Sequence, residues 1–126
     1  MKIGMALGAV ALFVGASASA QSMNAEQFHK RATSLRGKGM LAIFSSGEIK
    51  ALTREAKAAS ARAAESRRTA IKAGQPARFC PPPGPARMDN KEFMARLAAI
   101  PAQERAHIDM TEAMTRMLAV KFPCGS

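Results

Sequence analysis

Two cysteines, two histidines and nine carboxylates are the residues of this chain that could do chemistry. Cys80 stands in Phe79-Cys80-Pro81 and Cys124 in Phe122-Pro123-Cys124. Such a pair can be a disulfide, two free thiols, a metal pair completed by His29 or His107, or a nucleophile with a histidine base. Zinc draws four ligands with close pairs such as C-x-x-C or H-x-x-x-H, and neither spacing occurs. A nucleophilic cysteine would leave its twin unexplained, and neither cysteine carries a local catalytic signature. An even count behind an export signal favours a Cys80–Cys124 bond.

The carboxylates offer no acid and base pair. Glu48, Asp89, Glu92, Asp109 and Glu112 fall at predicted helix starts, where a short acidic or amide side chain and a partner three residues on satisfy free backbone N–H groups. Glu26, Glu55, Glu65 and Glu104 remain, and no spacing brings two of them together for proton transfer. His29 and His107 read as surface or helix-boundary residues. There is no phosphate-binding glycine loop and no G-x-S-x-G. The expectation is a chain that is not an enzyme and uses no cofactor or metal.

The first twenty residues, MKIGMALGAVALFVGASASA, combine Lys2, an apolar run and an Ala18-Ser19-Ala20 site, the pattern of a cleaved secretory signal. The run is about twelve residues, short of the roughly 20 that cross a bilayer. Cleavage after Ala20 leaves residues 21–126 as a single domain, periplasmic or secreted. It removes one base and no acid, so the net charge falls by one from +10. Tryptophan and tyrosine are absent. Alanine, leucine and methionine must fill a modest interior, a composition that favours helices.

Helical periodicity and caps then place the elements. Asn24 with Gln27 opens a helix from about Ala25 to Arg36 that turns Phe28, Ala32 and Leu35 inward, and Gly37 and Gly39 end it. Met40 to Phe44 is either one helical turn or an extended piece. Ser45 with Glu48 opens the longest helix, which reaches Ala73 before Gly74 and Pro76. Its seam reads Ile49, Leu52, Ala56, Ala59, Ala63, Ser66, Ala70, and such small residues let a partner helix approach closely. Five prolines make Gly74 to Met88 a loop. Asp89 with Glu92 starts a helix with Phe93, Met94, Leu97 and Ala98 inward, ending at Ile100 before Pro101 and a short turn. Asp109 with Glu112 starts the last, presenting Ala113, Met114, Met117, Leu118 and the stem of Lys121. No run alternates as a strand does, so the fold class is all-α, a small helical bundle of about four main helices with one disulfide.

That bond would tie the proline loop to the C-terminus, closing about 45 residues for at most roughly 4 kcal/mol of stabilisation. The remaining functional signal is charge. Lys50, Arg54, Lys57, Arg62, Arg67, Arg68 and Lys72 face three acids along the longest helix. The stripe suits an anionic partner: envelope polymer, lipid or an acidic protein surface. Nucleic acid fits poorly, because no aromatic residue is interleaved for stacking and an exported chain seldom meets it.

The C-terminal runs ARFCPPPG, KEFMARLAAIPAQER and TEAMTRMLAVKFPC resemble the small exported immunity proteins of the Tai type, which protect bacteria from cell-wall amidases delivered by type VI secretion. The likeness lies in an aromatic-Cys-Pro element, a helix leading to a proline and a closing helix ending in aromatic-Pro-Cys. It covers about the last 50 residues. Upstream, an alanine- and arginine-rich helix replaces the further cysteines and aromatic-glycine segment of many relatives. The resemblance implies a helical periplasmic protein, often a homodimer, that covers an enzyme's active-site cleft. Two functions are therefore expected in turn: an exported interaction protein acting as an immunity-like inhibitor of a cell-wall hydrolase, or an envelope protein binding anionic polymer or lipid through its basic helix.

Overall fold

The computed structural model describes residues 22–84 and 87–125, so the expected signal at residues 1–20 lies outside the described residues. Five α-helices follow in order, with no strand among the described residues: α1 (Ala25–Gly37), α2 (Ser46–Lys72), α3 (Asn90–Ala99), α4 (Ala102–Arg105) and α5 (Met110–Lys121). A 3-10 helix, η1 (Gly39–Ser45), joins α1 to α2, which settles the Met40 to Phe44 segment in favour of helix.

Local chemistry sets the helix ends. Asn24, Asp89 and Asp109 each accept a hydrogen bond from the backbone N–H three residues on, at 3.0, 2.7 and 2.8 Å. The expected cap at Ser45 is different: its side chain makes no capping bond. Glu48 is drawn away by Arg31 of α1, whose Nη2 donates to it at 2.7 Å, because a two-pronged guanidinium bond outcompetes a neutral backbone donor. α2 ends in a Schellman turn. Gly74 takes φ +73, Gln75 N–H reaches Ala70 O at 2.8 Å and Gly74 N–H reaches Ile71 O at 3.1 Å, a left-handed geometry that favours glycine.

The N-termini of α1 and α5 are pinned side by side through an isolated antiparallel bridge, Asn24 to Asp109. Ala25 N–H donates to Ile108 O at 2.9 Å and Met110 N–H to Met23 O at 2.7 Å. Beside this joint lies the core, where Leu97, Met110 and Met117 are the largest fully buried side chains. Phe28 meets the edge of Phe93 with 5.7 Å between ring centres. α2 packs mainly on α5, and α3 on α1 and α5, so α2 and α3 stand apart.

Two inward faces shift from expectation. On α2 the buried seam is Leu52, Ala59 and Ala63, while Ile49 is 42% exposed and Ser66 is exposed, because the helix outruns its partner at both ends. On α3, Ala98 is exposed and Ile100, past the helix end, is buried instead.

The Cys80–Cys124 bond is formed, with 4.9 Å between the two Cα atoms. Cys80 N–H also donates to Phe122 O at 2.8 Å. Phe79 is buried under the guanidinium of Arg67, 5.9 Å from the ring centre. The proline loop is thus held near its middle, just before its run of prolines, by an apolar anchor, a backbone bond and a covalent bond.

A candidate binding groove and its basic rim

The gap between α2 and α3 is a groove of about 1010 Å³. Phe28, Ala32 and Leu35 of α1 and Met114 and Leu118 of α5 lie beneath it. Ile49, Leu52 and Ala56 form one wall, and Phe93 and Met94 the other. Phe28, Ala32, Leu52 and Met114 are buried there, Ile49 is exposed at the edge, and the remaining apolar side chains are half-buried. An apolar depression of this size, with a few polar groups around it, is the usual form of a binding site.

Its rim is basic. Arg36, Lys57, Arg87 and Lys91 line the mouth, and all four are exposed. Asp89 is the one acid among the described residues that line it, and its carboxylate is occupied in capping α3. Apolar floor and cationic margin together favour a ligand with hydrophobic side chains flanked by acids.

The basic residues expected on α2 divide into two groups. At about 100° per residue, Lys50, Arg54, Lys57, Arg68 and Lys72 fall within one narrow arc, opposite Leu52, Ala59 and Ala63. All five are exposed. Arg68 pairs with Glu65 at 2.6 Å, and the other four make no ion pair among the described residues. Arg62 and Arg67 are not part of this surface. Arg62 spends its donors on Glu55 (2.9 Å), Ser22 (3.0 Å) and Thr111 (2.8 Å), and Arg67 donates to Phe79 O at 2.8 Å.

The carboxylates are likewise engaged in the fold. Arg78 clamps Glu112 with both guanidinium prongs, the second at 2.8 Å, which holds that carboxyl below its ordinary range. Lys121 and then Arg96 do the same for Glu92. Lys121 is half-buried and its Nζ crosses from α5 to Glu92 of α3 at 2.6 Å, so its stem faces α3 as expected while its charge is neutralised. His29 sits 3.7 Å from Glu26, yet burial, and then Arg105, lower its pKa. His107 is exposed beside a shallow depression that also contains Glu104 and Arg116, which pair with each other at 3.1 Å.

One central residue carries no signal in the sequence. Arg105 is 6% exposed and donates to Glu26 at 3.0 Å and to the carbonyls of Leu97, Ala98 and Ile100. It thereby caps the C-terminus of α3 and joins it to α1. An arginine following E in a four-residue helix looks like any solvated base, and only the chain's return past α3 gives it this task.

No helix among the described residues is long and apolar enough to cross a membrane. No family model, curated protein or solved structure matches the chain.

Proposed function

We propose that this chain is a small exported helical binding protein that docks an acidic protein surface in the groove between α2 and α3. In the form implied by its C-terminal resemblance, it is an immunity-like inhibitor that occludes a periplasmic cell-wall amidase. The observation that carries the reading is the groove: ten apolar side chains from four helices beneath a rim of Arg36, Lys57, Arg87 and Lys91. Its apolar lining is largely buried or half-buried, so the depression is a preformed cleft open between α2 and α3, the shape in which a partner's side chains dock. The cationic margin steers an acidic partner toward it and disfavours basic ones.

The test is to capture partners from periplasm on the immobilised, oxidised protein, identify them by mass spectrometry, and assay any hydrolase found on peptidoglycan. Stoichiometric loss of hydrolysis is expected, and Lys57→Glu with Lys91→Glu should abolish it while leaving the melting temperature unchanged. Recovery of no hydrolase, or inhibition indifferent to the reversed rim, would overturn the proposal.

A second reading rests on the outer face of α2. Lys50, Arg54, Lys57 and Lys72 make no ion pair among the described residues along about 33 Å of helix, a spacing suited to anionic polymer or lipid. Its mark is binding that weakens steeply with salt; salt-insensitive binding, or none, argues against it.

A further inference from the structure

Met40 and Phe44 are 85% and 86% exposed, with Leu41 beside them at 64%. Single exposed apolar residues are ordinary. Three on one seven-residue helix make a patch, and η1, set between α1 and α2 in the chain, turns all three toward solvent.

The charges around the patch have one sign. Between Lys30 and Arg54 the only acid is Glu48, and Arg31 neutralises it with two hydrogen bonds. Arg36, Lys38, Lys50 and Arg54 are all exposed. Lys38 donates to the Ser45 hydroxyl at 3.4 Å and, after Arg31, adds to the pull that lowers the Glu48 pKa, so the bases here outnumber the single acid they share.

We propose that η1 is a shallow wedge into a bilayer containing anionic lipid. Met40, Leu41 and Phe44 enter the boundary between headgroups and acyl chains, while Lys38, Lys50 and Arg54 lie at the level of the lipid phosphates. Apolar residues set among bases form the pattern that such an interface rewards, and seven residues are far too few to span it. A second copy of the chain is a poorer occupant. A two-fold contact through this patch would set the same four bases against one another. The wedge does not depend on the groove. It shares Lys50 and Arg54 with the α2 stripe but adds an insertion that charge alone does not give.

The absence of tryptophan makes the test clean. Phe44→Trp places a single indole at the tip of η1, in the folded, oxidised protein. Mixed with phosphatidylethanolamine vesicles containing phosphatidylglycerol, its emission should shift to the blue and be quenched by brominated acyl chains. Vesicles of phosphatidylcholine alone should give neither effect. In the parent, Met40→Ser with Phe44→Ser should weaken co-sedimentation with the anionic vesicles about tenfold or more, at unchanged melting temperature. Co-sedimentation without a blue shift would leave binding by the α2 stripe but overturn the wedge. Failure to co-sediment would overturn both. A blue shift that grows with protein concentration in the absence of vesicles would assign the patch to a second copy and overturn the proposal.

Discussion

Replacing Arg105 by methionine keeps an unbranched stem in the core and removes every donor at its end. Glu26 would then keep only His29, 3.7 Å away, with its side chain 15% exposed. Stranding one member of a buried ion pair costs about 3–5 kcal/mol. The low end, about 3, applies because Glu26 retains some contact with water. The last carbonyls of α3 also lose their donor. Ala98 is exposed and its carbonyl can turn to solvent, so this adds about 1 kcal/mol. A loss of about 4 kcal/mol is a large part of the 5–15 kcal/mol that holds a typical domain. With a urea slope of about 2 kcal/mol/M, the unfolding midpoint should fall by about 2 M at unchanged slope. Adding Glu26→Gln should restore about 1–2 kcal/mol, since the stranded carboxylate is gone. A single variant that loses less than about 1 kcal/mol, or a double variant no more stable than the single, would refute this account of the joint between α1 and α3.

The staple can be tested by exchanging both cysteines for alanine, Cys80→Ala with Cys124→Ala. Opening a loop of about 45 residues should lower the thermal midpoint by about 15 °C, and an unchanged midpoint by circular dichroism would show the bond to be idle. Leu97→Ala empties a fully buried site and should cost about 2–5 kcal/mol in a denaturant titration. The lowered pKa of His29 fixes a sign: burial and Arg105 disfavour its charged form. Its contribution to stability is full above the ordinary value of 6.5 and is lost as pH falls through the depressed folded value. A histidine proton titration should therefore give an apparent pKa below 6.5 in the parent and a higher one in Arg105→Met.

Features decided within three or four residues were legible in the sequence. Asn24, Asp89 and Asp109 cap the helices expected of them and Gly74 ends α2; the one long-range feature that was legible is the Cys80–Cys124 bond, 44 residues apart, because the chain has only two cysteines to pair. The features that were not legible depend on residues far apart in the chain. Glu48 suits a cap at Ser45 until α1 brings Arg31 alongside. Arg62 and Arg67 look like their solvated neighbours in the stripe until Ser22, Thr111 and Phe79 arrive to accept their hydrogen bonds. The apolar groove follows from α2 and α3 packing on α5 rather than on each other, a choice that no periodicity within either helix records. Met40 to Phe44 is ambiguous in the sequence because five residues fit more than one period; the segment forms a 3-10 helix.

Both cysteines of the disulfide are exposed, although Phe79 beside it is buried. A thiolate in solution can attack such a bond without the protein first opening. The lifetime of the staple is therefore governed by the surrounding redox couple and not by the unfolding rate. Reduction should proceed in proportion to reductant concentration under native conditions and yield a folded dithiol whose sulfurs stay close through the Phe79 anchor and the Cys80 to Phe122 hydrogen bond. Reoxidation from that state needs no conformational search, so the crosslink can be lost and regained without unfolding as the surrounding redox couple changes.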